Sequence, residues 1–418
     1  MAAAVEPLFR IAPTTQGYDW GKLGNSSKVA QYASGAGIPD FTLKESAPYA
    51  ELWMGTHPKS PSRVAESGEI LAAYLAAHPE LIGDRVSKQF GIKDGNLPFL
   101  FKVLAIRKAL SIQTHPDKKT AEQLHAEQPN VYTDPNHKPE MAIALTPFQA
   151  LCGFLPVEQI AAYLVSTPEF ASLIPNAIVN QFLASSSTLD SKGPLRDLFS
   201  AFMSADVNQV KEEIIKLVTR YQAGEEKETE KGVKELVLIL NEQYPGDIGI
   251  FCAFLLNYVT LSPGEAMFLG AGEPHAYVSG DIMECMANSD NVIRAGLTPK
   301  PKDIPNLVSG LTYNASPPTK HMVQPAKYGG ATLLYDPPIP EFSVLRLNLQ
   351  DGKEETHAAI DGPSVAIVTE GEGTVSWEGG KSLQLSTGNV FFLAAGVEVS
   401  FASKGTLNLY RAFVDVKN

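Results

Sequence analysis

Residues 261–277 read LSPGEAMFLGAGEPHAY and combine a strand, two tight turns and a histidine. The turn at Pro263-Gly264 leads into the apolar run 266–269, and a second glycine-rich turn ends at His275. Alternate side chains of an extended strand share a face, so His275 and Tyr277 are predicted to point the same way. The stretch therefore predicts two strands joined by a turn that aims an imidazole at a defined place.

This pattern resembles the second motif of a cupin barrel, where a tight Pro/Gly turn presents a histidine into the barrel mouth. Residues 385–396, LSTGNVFFLAAG, repeat its shape, but Val397 stands where a ligand histidine is expected. We therefore predict a mainly β protein with two cupin-type jelly-roll barrels, the second of them without a metal.

The segment between the two predicted barrels has the sequence pattern of helices instead of strands. Apolar residues recur at helical spacing in 157–164, 211–218 and 233–240, with loops rich in serine, glycine or charge between them. This predicts an α-helical domain inserted between the barrels. The predicted domains are a catalytic metal-binding cupin domain (1–155 and 258–335), a helical insert (156–257) and a C-terminal jelly roll (336–418). Because consecutive prolines stop helices and central strands, residues 336–340, DPPIP, are predicted to be a linker.

Three short segments carry residue types that bind metal: 111–116 (SIQTHP), 136–140 (NHKPE) and 270–277. Strand parity places Ser111, Gln113 and His115 on one face, and pairs Lys138 with Glu140. The predicted ligands are Gln113, His115, Glu140 and His275. Two imidazoles, a carboxylate and an amide oxygen form a mixed N/O set that suits a borderline divalent ion such as zinc.

Composition excludes several other classes of protein. The chain has 418 residues and a net charge of −12, with no basic stripe that could neutralise the phosphates of a nucleic acid. Three widely spaced cysteines imply no disulfide framework. The N-terminus lacks a signal-peptide pattern, and the longest apolar stretch, 248–261, is shorter than the ~20 residues of a membrane helix. We expect a cytoplasmic protein without a membrane or nucleic-acid partner. The sequence does not determine the oligomeric state; it shows no heptads, and we expect a monomer.

Several longer motifs carry a family resemblance. Residues 48–58 (PYAELWMGTHP), 96–104 (NLPFLFKVL) and 291–298 (NVIRAGLT), together with 111–116 and 136–140, are similar to the signature of type I mannose-6-phosphate isomerases. The resemblance runs from Gln16 to about Pro338. It implies one zinc ion per chain and the interconversion of mannose 6-phosphate and fructose 6-phosphate, a reaction that feeds GDP-mannose synthesis and glycosylation.

An aldose–ketose isomerase moves a proton between C2 and C1 of the sugar through an enediol(ate), which needs a general base. Lys138, Glu284 and Asp290 are the candidate bases, and the sequence does not choose among them. The resemblance makes Arg294 catalytic, and the fork of its guanidinium suits a phosphate or an enediolate oxygen. An alternative for Glu284 is a structural ion pair with Arg294.

The substrate is predicted to be a small phosphorylated sugar. Its candidate binding residues are Ser111, Lys102, Tyr277 and Trp20. His57 and His137 are expected to support the pocket or the fold rather than to bind metal.

Two other classes fit parts of the pattern. A metal oxygenase on a cupin barrel would usually carry more histidine than this set, and would bind iron or copper. A non-catalytic sugar-binding cupin would not need Lys138 and Arg294 near the metal. Isomerase activity measured before and after chelation separates these alternatives.

Overall fold

The structure is a computed structural model that describes residues 5–185 and 191–416. Two large antiparallel sheet systems make up most of it, and a helical segment interrupts the first of them between residues 154 and 256. The predicted fold class, mainly β with an inserted helical domain, is confirmed. No helix in the described ranges is long and apolar enough to cross a membrane.

The segment before the insert is rich in strands. Its strands are β1 (Leu8–Ala12), β2 (Thr14–Gln16), β3 (Lys22–Leu23), β4 (Pro48–Tyr49), β5 (Glu51–Met54), β6 (Arg63–Val64), β7 (Phe99–Ile106), β8 (Ile112–Thr114), β9 (Glu140–Ala144) and β10 (Phe148–Phe154). Its helices are α1 (Lys28–Gly35), α2 (Leu71–Ala77), α3 (Asp84–Phe90) and α4 (Lys118–Glu127).

The insert consists of α5 (Val157–Ser166), α6 (Pro168–Ala171), α7 (Asn176–Ser185), α8 (Lys192–Met203), α9 (Val207–Gln222) and α10 (Lys234–Gln243). The chain then returns to the first sheet system with β11 (Leu256–Leu261), β12 (Ala266–Leu269), β13 (His275–Ala287), β14 (Ile293–Gly296), α11 (Ile304–Gly310) and β15 (Met322–Val323).

The C-terminal sheet contains β16 (Ala326–Lys327), β17 (Thr332–Tyr335), β18 (Ser343–Leu349), β19 (Glu354–His357), β20 (Ser364–Trp377), β21 (Lys381–Ser386), β22 (Val390–Leu393) and β23 (Val399–Phe413). Short 3-10 helices occur at Gly24–Ser26, Pro79–Leu81, Glu228–Glu230, Ile248–Phe254, Pro318–His321 and Glu378–Gly380.

Strand β13 is the centre of the first sheet system. Its C-terminal half lies between β7 and β9, and its N-terminal half pairs with β10 and β8. Every residue of β7 is buried, as its run of apolar residues predicts for a strand that is covered on both faces. Four strands therefore pair with β13, and two of them, β8 and β10, pair with the segment that begins with His275.

Helix α9 shows how the insert builds its core. Asp206 accepts hydrogen bonds from the backbone N–H groups of residues 208 and 209 and so caps the N-terminus. The apolar residues that follow at helical spacing, among them Ile214 and Leu217, are buried in a core shared with the segment 248–256. The insert is thereby packed directly against the start of β11.

The C-terminal sheet reaches beyond its predicted boundary. Strands β16 and β17 precede Asp336 and already pair in this sheet, so residues 336–340 join β17 to β18 within it. Prolines cannot donate ladder hydrogen bonds, and they fit a connection between strands as well as a linker between domains. Strand β1 also pairs with β22, which places the first strand of the chain in the C-terminal sheet. The predicted domain boundaries stay predictions.

Candidate metal centre and active site

Two histidines and one carboxylate meet in the first sheet system. His115 Nε2 lies 3.4 Å from Glu140 Oε1, and His275 Nε2 lies 3.3 Å from Glu140 Oε2. One ligand atom from each of the three residues lies within 4.8 Å of the other two, and all three residues are buried. The structure thus brings together three of the four residues that the sequence predicts to be metal ligands.

The hydrogen bonds of the two imidazoles show which ring atoms face the centre. His115 Nδ1 lies 2.6 Å from the carbonyl of Asn291, and His275 Nδ1 lies 3.0 Å from that of Glu273. A carbonyl only accepts, so each Nδ1 carries the proton and donates it. Both Nε2 atoms are then unprotonated and carry a free lone pair, and neither has a hydrogen-bond partner.

Two lone pairs that face a carboxylate repel it unless a cation lies between them. Backbone carbonyls that fix the ring tautomer are the usual neighbours of metal-binding histidines. Burial lowers the pKa of His115 to about 4, against the opposing effect of Glu140, so its ring is neutral at neutral pH. The set fits a divalent cation. Metal binding by these residues stays a prediction.

Gln113 and Arg294 stand in one row with His275. Gln113 is directly opposite His275 across the β8–β13 pair, and Arg294 is directly opposite Gln113 across the β8–β14 pair. Residues opposite each other in antiparallel strands project to the same face. With strands about 4.8 Å apart, Arg294 lies about 10 Å from His275 along this row.

Gly280 lies at an irregularity of β13, between the site residues Tyr277 and Glu284. Its φ is +116°, and a Cβ atom there would lie 2.8 Å from the Cα of Phe148. The pairing with β10 shifts register close by, between Tyr277 and Ser279. As a result Tyr277 and Ile282 share one apolar cluster, although strict alternation would place them on opposite faces. Glu284, two residues beyond Ile282, therefore shares the face of Tyr277.

Lys102 and Glu284 form a buried charge cluster on that face. The two residues are directly opposite in the β7–β13 pair, and Lys102 Nζ lies 3.5 Å from Glu284 Oε2. A second carboxylate, Glu51, lies 3.4 Å from the same ammonium, which also stands 4.5 Å above the ring of Trp53. The sequence-based alternative, an ion pair between Glu284 and Arg294, does not occur.

Burial and neighbouring charges together shift the pKa values of Lys102 and Glu284. Burial by itself would lower the pKa of Lys102, but Glu51 and Glu284 outweigh it and raise that pKa above its usual value. Burial, and next the charge of Glu140, raise the pKa of Glu284 to about 7, while Lys102 opposes them. The Lys102 ammonium is thus engaged by two carboxylates, and a phosphate would have to compete with both of them.

Lys138 and Tyr277 border the metal-ligand cluster directly. Lys138 Nζ lies 3.2 Å from Glu140 Oε1, and the Tyr277 hydroxyl donates to Glu140 Oε2 at 3.4 Å. Burial, followed by the charges of Glu284 and Glu140, raises the pKa of Tyr277 well above its usual value, so its hydroxyl is a hydrogen-bond donor. The parity predicted for residues 138 and 140 agrees with this contact.

Asp290, the third candidate base, has other partners. Its carboxylate lies 2.7 Å from Lys59 Nζ and 3.4 Å from His57 Nε2. Burial by itself would raise the pKa of Asp290, but hydrogen bonds to His57 and Lys59 hold it well below its usual value. A carboxylate that binds its proton so weakly is a poor acceptor for a carbon-bound proton.

Arg294 is half-buried and makes no ion pair with any carboxylate in the described ranges. Burial lowers its pKa, and no charged neighbour opposes this effect. Its guanidinium therefore remains available for an anionic ligand.

The remaining predicted residues make no ion pair or hydrogen bond with the metal-ligand cluster in the described ranges. Ser111 and Trp20 are half-buried, and Trp20 stacks on Tyr18 with ring centroids 5.8 Å apart. His137 pairs with Glu341 in the connection between β17 and β18 and is not part of the metal-ligand cluster. The sequence analysis missed Glu51. The sequence pattern that could have predicted it is a lone carboxylate within the apolar run 50–54. Its opposite charge makes it a partner for the lone ammonium of Lys102 in β7.

Comparisons with known proteins agree with this architecture. Family profiles described as phosphomannose isomerase type I match in three parts: the catalytic domain over residues 8–157, the helical insertion domain over 173–256 and the C-terminal part over 332–379. The mannose-6-phosphate isomerase of Cryptococcus neoformans is 49% identical over 98% of this chain and 99% of its own length. That of Saccharomyces cerevisiae is 43% identical over 98% of this chain and 99% of its own length.

Solved structures agree as well. The mannose 6-phosphate isomerase of Salmonella typhimurium, bound to fructose 6-phosphate and zinc, has a TM-score of 0.83 and 31% identity, covering 98% of this chain and all of that one. The apo form of that enzyme has a TM-score of 0.84 and 31% identity, covering 99% of this chain and all of the other.

The paired barrels and the buried His/Glu/His cluster define a cupin-type protein with a candidate metal centre. The chain belongs to the type I phosphomannose isomerase family.

Proposed function

We propose that this protein is a zinc-dependent aldose–ketose isomerase that interconverts mannose 6-phosphate and fructose 6-phosphate. The observation that carries the proposal is the convergence of His115, Glu140 and His275, with two bare imidazole nitrogens directed at one carboxylate. Relatives that match nearly the whole chain and carry this activity in their names support it.

Gln113, His115, Glu140 and His275 would hold one zinc ion. The bound ion supplies a Lewis acid that polarises the sugar oxygens and orients the sugar. The chain's own residues have three further tasks, which are to move a proton between two carbons, to stabilise negative charge on oxygen and to hold the phosphate.

We assign the proton transfer to Glu284. Its carboxylate is buried and lies on the face that carries Tyr277, and the ammonium of Lys102 fixes it from the neighbouring strand. As a carboxylate it takes the proton from C2, and as a neutral acid it returns the proton to C1. A raised pKa brings such a base closer to neutral pH, where proton transfer in both directions is efficient. Lys138 is the alternative base, because it also borders the ligand cluster.

We assign charge stabilisation to Arg294, which shares a row with Gln113 and His275 and has no competing carboxylate in the described ranges. Ser111 and Trp20 are half-buried and would contact the phosphate or the sugar ring. Tyr277 would keep Glu140 in place through its hydroxyl.

We expect Arg294→Ala to lower kcat by on the order of 10²–10³-fold, because one preorganised charged donor is lost from the developing enediolate. The KM for mannose 6-phosphate should change much less, and zinc content should stay near normal. Steady-state kinetics and metal analysis of the purified variant check both points.

Arg294→Lys is the matched control. It keeps the positive charge but loses the planar fork, so we expect an intermediate loss of kcat. If Arg294→Ala instead raises KM and leaves kcat intact, the arginine holds the phosphate and does not stabilise the transition state.

Removal of the metal tests the whole proposal. Dialysis against a chelator should abolish isomerisation of mannose 6-phosphate in a coupled assay, and added zinc should restore it. Activity that survives complete loss of metal would rule out a zinc-dependent isomerase. Binding of the sugar without turnover in the zinc-loaded protein would indicate a sugar-binding cupin.

We further propose that the reaction supplies the mannose phosphate used for GDP-mannose synthesis, that the chain acts as a monomer and that its setting is the cytoplasm. The family resemblance supports the first point. The three cysteines, all free and buried, fit a reducing compartment.

A further inference from the structure

A charged group lies inside the C-terminal barrel, away from the proposed active site. Arg411 is on β23 and is fully buried. It shares strand parity with Leu407 and Leu409, which belong to the apolar cluster of this barrel. Guanidinium groups are very rarely buried without a carboxylate. The surroundings of Arg411 therefore need a physical explanation.

Neutral groups supply the contacts of this guanidinium. Arg411 Nε donates to the Ser364 hydroxyl oxygen at 2.9 Å, and Nη1 lies 3.4 Å from His357 Nδ1. Burial, together with the charge of Arg411, lowers the pKa of His357 to about 3, so this imidazole is neutral. His357 Nε2 is 2.9 Å from the Thr332 hydroxyl, which completes its hydrogen bonding.

The positive charge has no counter-charge within ion-pair distance in the described ranges. The carboxylate of Glu355 contacts the other ring nitrogen of this imidazole, with Oε1 3.8 Å from His357 Nε2. A buried cation without an adjacent anion is strongly disfavoured. Burial accordingly lowers the pKa of Arg411 to about 10.

Two hydrogen-bond donors at this place have no acceptor. Arg411 Nη2 is buried and has no partner. Ser364 uses its oxygen to accept from Nε, and its own proton has no acceptor in the part of the chain that the structure describes. Nη2 lies on the Nε side of the guanidinium, so both donors belong to the same edge. An anion at this edge would accept from both and would balance the charge.

We propose that the C-terminal barrel binds one small monovalent inorganic anion, such as chloride, between Arg411 Nη2 and the Ser364 hydroxyl. A single cation beside a neutral histidine can balance one negative charge, which favours a monovalent ion over phosphate. Arg411, His357 and Ser364 are each completely buried, which favours a small ion over a sugar phosphate.

Tyr328 marks the route to this site from solvent. Its ring packs edge-on against His357 with centroids 5.5 Å apart, yet the residue is 38% exposed. It lies in the hairpin between β16 and β17, where Gly329 follows at once. Local opening of this hairpin would admit a small ion.

Thermal unfolding in sodium chloride and in sodium gluconate at equal ionic strength tests the proposal in solution. A ligand that binds only the folded state raises Tm, and gluconate is too large for a completely buried site. We expect the Tm of the zinc-loaded protein to rise by several degrees with chloride. Arg411→Gln should remove this dependence, whatever its own Tm.

Arg346→Gln is the matched control. Arg346 is a partly buried arginine of the same sheet that stacks on Tyr410, and its variant should keep the response to chloride. Equal chloride dependence in the wild-type protein and Arg411→Gln would overturn the proposal. So would a wild-type protein that does not respond to chloride.

A crystallographic test does not depend on the folding of a variant. Crystals of the wild-type protein grown in bromide should show an anomalous peak beside Arg411 Nη2 and Ser364 Oγ. Absence of the peak would overturn the proposal. A peak without any dependence of Tm on chloride would also overturn it, because it would mean binding at crystal concentration only.

Discussion

His275→Ala should abolish both zinc binding and turnover. The variant removes one of two bare imidazole nitrogens that face Glu140. Loss of a group that merely orients a metal ligand already costs about 10–100-fold in metal affinity. Loss of the ligand itself should cost more than about 100-fold, so zinc should be absent after gel filtration. Metal analysis and the coupled isomerase assay measure the two effects separately.

His125→Ala is the matched control, because His125 is a half-buried histidine of α4 whose Nδ1 contacts a backbone carbonyl. It should keep its zinc and its kcat. A His275→Ala protein with full zinc content and full turnover would show that the ligand assignment is wrong.

Glu284→Gln should lower kcat by on the order of 10²–10⁴-fold, the usual contribution of a general acid–base group. The amide keeps the size of the side chain but cannot accept the C2 proton. Exchange of that proton with solvent deuterium should fall in parallel with kcat, while zinc content stays unchanged. A purely structural role would reduce stability without a selective loss of exchange.

Two further variants complete this experiment. Glu341→Gln alters a buried carboxylate that pairs with His137 outside the ligand cluster, and it should leave proton exchange intact. Lys138→Met tests the alternative base. If Glu284→Gln keeps wild-type exchange and Lys138→Met loses it, the base is Lys138.

The sequence predicted the parts of the fold that depend on local patterns. Helical spacing of apolar residues predicted α5, α9 and α10. The turn before His275 predicted a strand that starts at this histidine, as β13 does. In each case the pattern that predicts the helix or strand lies within one short segment of the sequence.

The relative placement of distant residues could not be predicted in the same way. Alternation along β13 puts His275 and Glu284 on opposite faces, and only the irregularity around Gly280 brings Glu284 to the face of Tyr277. The engagement of Asp290 by His57 and Lys59 depends on a contact between segments more than two hundred residues apart. Neither fact has a local sequence signal.

Charged residues inside apolar runs predicted only part of the buried charge cluster around Lys102. Lys102 was predicted to bind the substrate, and Glu284 was predicted to be a base or an ion-pair partner of Arg294. Glu51 was missed, although a lone carboxylate in β5 implies a buried cation by the same argument. Pairing lone opposite charges across separate apolar runs would have predicted this contact.

The pairing of β1 with β22 has a consequence for the synthesis of the chain. Leu8 is paired with Leu393, so the first strand leaves the ribosome long before its partner exists. At ordinary rates of translation the delay is about 20–80 s. Of the two strands that pair with β1 in the described ranges, β6 alone has been made by then, and it pairs with Ile11 and Ala12. The nascent protein therefore exposes an unpaired apolar strand edge until β22 is made, and shielding by a chaperone should matter most in this interval.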